Sequence, residues 1–124
     1  MRVLYVEDEP DIQVVARLAL EVLGGLTVEI CSSGEEAMVR APEFKPQLIL
    51  LDVMMPGMDG PTTLQRLRVL PQFSATPVVF MTAKVQPDEM ARYKALGAVD
   101  VIPKPFDPMT LAGKVQSIWE RCHA

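Results

Sequence analysis

A small set of polar residues stands directly after apolar runs in this chain. Glu7-Asp8-Glu9 follows the run at residues 3–6, Asp52 the run at 48–51, and Thr82 the run at 78–81; Lys104 lies two residues beyond the run at 99–102. Taken singly, each has an ordinary reading. An acidic triplet is usually a solvated loop, Asp52 or Thr82 can cap a turn, and a lysine is usually a solvated charge. Together they suggest chemistry, because all follow the carboxyl ends of apolar runs. Two carboxylates ~4 Å apart repel by ~4 kcal/mol at an effective dielectric of ~20. A site holding several acids therefore needs a cation, or must keep a proton on one of them. Carboxylate oxygens without His or Cys suit a hard cation, Mg²⁺ above all, held by one or two carboxylates with water and phosphate oxygens. A carboxylate beside such a cation can act as a nucleophile toward a phosphoryl group. A hydroxyl and an amine at the same rim could then bind phosphoryl oxygens.

The elements that must position these residues can be read from the pattern of apolar residues. The runs at 3–6, 48–51 and 78–81 are nearly continuous and rich in Val, Ile and Leu, as strands buried on both faces are. Residues 27–31 alternate, and Asp100 interrupts the run at 99–102, which places the second and fifth strands at the edges. Between them lie helical patterns. Ile12, Val15, Ala16, Ala19, Leu20 and Leu23 form an apolar stripe opposite Gln13, Arg17 and Glu21, ended by Gly24-Gly25. Ser33 and Glu36 make a capping box, Pro61 opens the next helix, and Pro87-Asp88-Glu89 opens a fourth that Gly97 closes. Asp107-Pro108 opens the last, with Leu111, Val115, Ile118, Trp119 and Cys122 at helical spacing. All eleven prolines fall in loops or at boundaries on this parse. Strict β-α alternation predicts an α/β fold: one doubly wound, five-stranded parallel sheet of flavodoxin-like order 2-1-3-4-5, with five helices on two faces, over a single domain 1–124. Ligands of such sheets bind beyond the carboxyl ends of the strands at the switch in strand order, here between the first and third strands, where Glu7, Asp8 and Asp52 fall.

Composition narrows the chemistry further. The net charge of −4 argues against direct nucleic-acid binding, which needs clustered Lys and Arg. No apolar run approaches the ~20 residues that span a bilayer, and the apolar start is too short for a signal peptide. Two cysteines, Cys31 and Cys122, are too few for a disulfide framework and are expected to be reduced, so a soluble cytoplasmic setting is the expectation. The one histidine, His123, is the penultimate residue, which leaves no internal imidazole for a zinc site, a Ser-His-Asp triad or a Cys-His pair. Core packing is expected to explain Met54, Met55 and Met58 better than a partner surface does. Trp119 is expected to face the core with its N–H near the surface.

Four stretches, VLYVEDEP at 3–10, LILLDVMMPGMDG at 48–60, PVVFMTA at 77–83 and VIPKPF at 101–106, give the chain a clear resemblance to the receiver domains of two-component response regulators, chemotaxis regulators among them. The resemblance implies a phosphorelay switch. Asp52 matches the phosphoacceptor, and Asp8 the acid that binds Mg²⁺ directly. Glu7 matches the neighbouring acid that usually acts through water, and the Met54 backbone carbonyl the remaining protein ligand. Thr82 matches the switch hydroxyl, Lys104 the phosphoryl-binding lysine, and Lys104-Pro105 a peptide often cis. It further implies a sensor histidine kinase or phosphotransfer protein as donor and a downstream protein or output domain reading the 87–121 face, where Arg92, Lys94, Lys114 and Arg121 lie. A phosphorylation-dependent dimer is a further partner it admits. Two departures stand out: Val101 replaces the aromatic switch residue often found three before the lysine, so the readout face is expected to respond differently or less, and Glu7 replaces the more frequent Asp. Met54 and Lys84, two residues after Asp52 and Thr82, stand where the family tunes phosphoryl lifetime; an apolar Met54 implies slow self-hydrolysis. Two alternatives stay open, a Mg²⁺-dependent aspartyl-nucleophile phosphohydrolase and a degenerate receiver that acts only as a binding module.

Overall fold

In the computed structural model, which describes residues 1–123, the five apolar runs form one parallel sheet. Its strands are β1 (Arg2–Val6), β2 (Thr27–Cys31), β3 (Leu48–Asp52), β4 (Val78–Thr82) and β5 (Asp100–Pro103), in the order β2-β1-β3-β4-β5. The edge strands are thus the second and fifth, as the interrupted patterns required. β5 starts and ends one residue later than its apolar run. It closes on Pro103, whose missing N–H is tolerated because an edge strand pairs on one side only. The helices are α1 (Pro10–Arg17, continued by a π-helical segment Leu18–Leu23), α2 (Gly34–Phe44), α3 (Gly60–Val69), α4 (Pro87–Ala95) and α5 (Leu111–Cys122).

Alternation along the buried strands divides the core into two layers. Val3, Tyr5, Leu48, Leu50, Val79 and Met81 pack with Ala16, Leu20, Leu111 and Val115 beneath α1 and α5. Leu4, Val6, Ile49, Leu51 and Phe80 pack with Ala37, Leu64, Leu67 and Tyr93 beneath α2, α3 and α4. Each fully buried Leu or Ile in these layers contributes ~1.5–3 kcal/mol by leaving water. Because the sheet is parallel, every strand delivers its next residue to the same rim. The register aligns Val6 with Leu51 and Asp52 with Met81, so the residues after β1 and at the ends of β3 and β4 meet there.

Several helix boundaries differ from the sequence pattern. The prediction that no proline sits within a helix fails at Pro42, which lies inside α2. It is accommodated because α2 ends two residues later, at Phe44, with Lys45 in the left-handed conformation at φ 54°. Only one helical hydrogen bond near the end is forfeited. Ser33 caps α2 by accepting from the Glu36 N–H at 3.0 Å, while the Glu36 carboxylate accepts from Ser32 rather than from Ser33. Pro61 is the second residue of α3, not the first, and Asp59 is the cap, accepting from the Thr62 N–H at 2.8 Å. α5 begins at Leu111, after a turn in which Asp107 accepts from the Met109 N–H. Cys122 on α5 is exposed rather than packed. The Trp119 indole N–H is buried without a partner among the described residues, contrary to the expectation of a surface position.

The start of α3 touches the end of β3. A Cβ on Gly60 would lie 2.5 Å from the Asp52 carbonyl oxygen and 2.8 Å from the Val53 Cα. Both are backbone atoms of the strand that presents Asp52, so neither can swing aside. Gly60→Ala is expected to lower the urea unfolding free energy by ~2 kcal/mol through overpacking; an unchanged midpoint would show that the backbone yields.

Candidate functional site

The rim residues converge. Glu7, Asp8 and Asp52 each offer a carboxylate oxygen, and these oxygens lie within 4.8 Å of one another. Glu7 and Asp52 are buried and Asp8 is half-buried. The Lys104 ammonium donates to Glu7 Oε1 at 3.0 Å and to Asp52 Oδ1 at 3.2 Å, bridging the two acids. Lys104 is delivered there because its backbone N–H continues the ladder to the Thr82 carbonyl at 2.9 Å, and the Lys104-Pro105 peptide is cis. The second Glu7 oxygen accepts from the Glu9 N–H at 3.2 Å, and the Glu7 carbonyl accepts from the Gln13 carboxamide at 2.6 Å.

One ammonium facing three carboxylates leaves the cluster short of positive charge. Burial, followed by the negative charge of Glu7, pushes the Asp52 carboxyl up from 3.8 to about 6; Lys104 pulls it partly back and Asp8 adds to the rise. For Lys104, burial pulls the ammonium down, but the hydrogen bond to Glu7 and the charge of Asp52 outweigh it, and its pKa ends above the ordinary value. An all-oxygen donor set this compact fits a hard divalent cation, which would supply the missing charge.

Thr82 ends β4 and is buried; its hydroxyl accepts from the Lys84 N–H at 3.0 Å and makes no bond to Asp52. Thr82 therefore sits at the same rim without being part of the charged bridge. Met54 lies in the loop after β3 and is 65 % exposed, a correction to the expectation of core packing, while Met55 is buried as expected. The reason is local: the chain leaves the sheet after Asp52, so strand alternation no longer turns this side chain inward.

Three contributors are not evident from the sequence motifs. Gln13 reads as part of a polar helical stripe, yet it ties the carbonyl of Glu7. Gly60 reads as a loop residue, yet it permits the close approach of α3. Tyr5 is fully buried in β1, two residues before Glu7 and so on the same face of the strand; among the described residues its hydroxyl has no hydrogen-bond partner. Burial first, and then the charges of Glu7 and Asp52, oppose its ionisation. The i, i+2 spacing of Tyr5 and Glu7 was the available signal.

An open parallel sheet of this order, carrying an acidic cluster and a bridging lysine at its carboxyl rim, defines the receiver class of signalling modules. Residues 3–116 match the response regulator receiver domain, and the chain belongs to that family. It is 35% identical to the phosphate regulon transcriptional regulatory protein PhoB of Rhizobium meliloti over 97% of this chain and 52% of that protein. It is 39% identical to the transcriptional activator protein IrlR of Burkholderia pseudomallei over 100% of this chain and 52% of that protein. The chain thus spans about half the length of the curated relatives it matches. Among solved structures, the chemotaxis protein CheY4 of Vibrio cholerae superposes with a TM-score of 0.88 at 32% identity, covering 94% of this chain and 97% of that one. The protein is a receiver domain of the two-component response regulators, a module of phosphorelay signal transduction. Among the described residues, no helix is long and apolar enough to cross a membrane.

Proposed function

We propose that Asp52 accepts a phosphoryl group from a histidine kinase or phosphotransfer protein, and that the phosphorylated chain signals through the face formed by α4, β5 and α5. The observation that carries this reading is the convergence of the Glu7, Asp8 and Asp52 oxygens within 4.8 Å, with Lys104 bridging two of them. In this reading Glu7, Asp8, Asp52 and the Met54 backbone carbonyl would hold Mg²⁺, which would supply charge to offset that of the acids and the incoming phosphoryl group. Residues 1–124 act as one receiver unit.

The chain's own residues divide the remaining work. An Asp52 oxygen forms the new O–P bond as the bond between phosphorus and the donor nitrogen breaks. Lys104 moves its hydrogen bond from the Asp52 carboxylate to a phosphoryl oxygen, keeping its charge at the site. The Thr82 hydroxyl, an acceptor from the Lys84 N–H, donates its own proton to a second phosphoryl oxygen. Val101, buried beside Phe80 and Tyr93 in one core layer, has no ring to swing. The readout is therefore carried by Thr82 and its neighbours, next to a groove of about 680 Å³ lined in part by Val101, Gly113, Lys114, Ser117 and Arg121. No observation favours a phosphohydrolase, since Met54, two residues after Asp52, cannot move a proton.

Incubation with Mg²⁺ and a small acyl phosphate is expected to add the mass of one phosphoryl group to the wild type and none to Asp52→Asn. A gain that survives the substitution overturns the assignment of Asp52. The absence of any gain in the wild type favours a receiver that only binds. After removal of the acyl phosphate the adduct is expected to persist well beyond seconds, because Met54 offers no hydrogen bond to an attacking water. Loss within seconds contradicts that role.

A further inference from the structure

Tyr5 places a hydroxyl where the fold gives it nothing to do. The residue is fully buried in β1, in the core layer that also holds Ala16, Leu20, Leu50 and Met81. Phenylalanine would fill such a place without a polar atom. Among the described residues the Tyr5 hydroxyl has no hydrogen-bond partner, and an idle buried hydroxyl opposes folding. Its position in the sheet shows what it could serve. Tyr5 is level with Leu50, two residues before Asp52, and Glu7 lies two residues beyond Tyr5. By alternation all four side chains share the face toward α1 and α5, with Tyr5 one step below the two acids. After burial itself, the charges of Glu7 and then Asp52 oppose ionisation of the phenol, and the Glu7 carboxylate is close enough to add to this as an acceptor.

Glu7 is an acceptor with a donor to lose. Its side chain is wholly buried, with Oε1 held by the Lys104 ammonium at 3.0 Å and Oε2 by the Glu9 N–H at 3.2 Å. The same ammonium holds Asp52 Oδ1 at 3.2 Å. A phosphoryl group on Asp52 brings further anionic oxygens to compete for its three N–H donors. Drawing the ammonium from between the two acids leaves Glu7 Oε1 buried without a donor, and an unpaired buried carboxylate oxygen is costly. We propose that Tyr5 is a positioning residue whose hydroxyl donates to Glu7 Oε1 when Lys104 turns to the phosphoryl group. The idle donor of the resting state and the deserted acceptor of the phosphorylated state then satisfy each other. The exchange holds the Glu7 carboxylate in place at the rim. It also removes Glu7 as a competitor for Lys104, and so favours the phosphorylated form over the resting one. The switching role rests on the reading in which Asp52 accepts phosphate, whereas the exchange itself needs only that Lys104 release Glu7.

Tyrosine labelled with ¹³C at Cζ reports the exchange, because that carbon moves downfield as its hydroxyl donates to a carboxylate. The chain has two tyrosines, and Tyr5→Phe assigns the signals. The Tyr5 signal is expected to move downfield on addition of Mg²⁺ and beryllium fluoride, a stable mimic of a phosphoryl group on a carboxylate. It is expected to stand downfield in Lys104→Met with no mimic present, since that variant has no ammonium on Glu7. Tyr5→Phe is expected to bind the mimic about tenfold more weakly than the wild type, the worth of one hydrogen bond to a charged group. Without Mg²⁺ or mimic the same variant should be at least as stable to urea as the wild type, because the deleted hydroxyl had no partner. A hydroxyl with a merely structural role would give the reverse pair, a loss of resting stability with unchanged mimic affinity, and that result overturns the proposal. So does a Tyr5 signal that stays in place in folded Lys104→Met. A signal that moves in Lys104→Met but not with bound mimic also overturns it, since Lys104 then keeps Glu7 in the phosphorylated state. If Lys104→Met does not fold, the mimic measurements decide alone. The phosphoryl mass gain on the wild type reads the Asp52 assignment separately.

Discussion

Lys104→Met is expected to lower the folding stability of the metal-free protein by ~3 kcal/mol at pH 8, the largest loss at the rim. Among the described residues, Lys104 is the one cation hydrogen-bonded to Glu7 and Asp52, and both acids are buried. Removing one partner of a buried pair leaves the other charge uncompensated, which typically costs ~3–5 kcal/mol; the low end applies because Lys104 retains some exposure. The loss should shrink toward pH 4, where Asp52 can take a proton and cease to need a partner. Mg²⁺ should recover part of it, because a cation bound to the folded chain alone stabilises by mass action. Urea unfolding at both pH values, with and without Mg²⁺, reads all three effects. A loss independent of pH and Mg²⁺ would mean that Lys104 acts through packing of its stem rather than through its charge.

Asp52→Asn should act in the opposite direction, raising metal-free stability by ~2 kcal/mol at pH 8. The sign follows from the pKa. The folded-state value of Asp52 is raised from 3.8 to about 6, so the folded chain binds more protons than the unfolded chain between these values. Stability attributable to this group is fully present below about pH 4 and is lost as pH rises through about 6. Asparagine cannot ionise, so it escapes that loss, and the gain should vanish at pH 4. Urea midpoints for both proteins across this window make the comparison. Asn equal to or weaker than Asp at pH 8 would contradict mutual repulsion among Glu7, Asp8 and Asp52. The two substitutions share one network, so their effects will not add: in the double variant, loss of the Asp52 charge relieves part of the cost of losing Lys104.

The sheet was legible from the sequence because a parallel strand buried on both faces leaves an almost uninterrupted apolar signal. The rim was legible for the same reason, since the first polar residue after such a run marks its end. Glu7, Asp52 and Thr82 could therefore be placed at one rim from the order of residues alone. The outer face of α1, where Val15 and Leu23 lie exposed rather than in the buried stripe, was not legible. Apolar residues surround most of that helix, and periodicity alone cannot say which stripe turns inward; the π-helical segment from Leu18 to Leu23 then departs from the 3.6-residue period on which the choice rested. Pro42 was misplaced because a proline near the end of a helix forfeits little, so its general avoidance of helices carries less force there. Tyr5 and Gln13 depend on side-chain reach around Glu7, which spacing constrains but does not determine. The capping role of Asp59 lay hidden beside the more conspicuous Pro61.

The residue that carries phosphorus is identified most directly by trapping it. Wild-type protein is phosphorylated with an acyl phosphate and Mg²⁺, reduced with borohydride, digested and sequenced by mass spectrometry. An aspartyl phosphate is a mixed anhydride that borohydride reduces to an alcohol, whereas an unmodified carboxylate and a phosphate ester are left intact. The predicted result is a single reduced side chain at position 52. Reduction at Glu7 or Asp8, or a phosphate that survives borohydride on Thr82 or another hydroxyl, would contradict it.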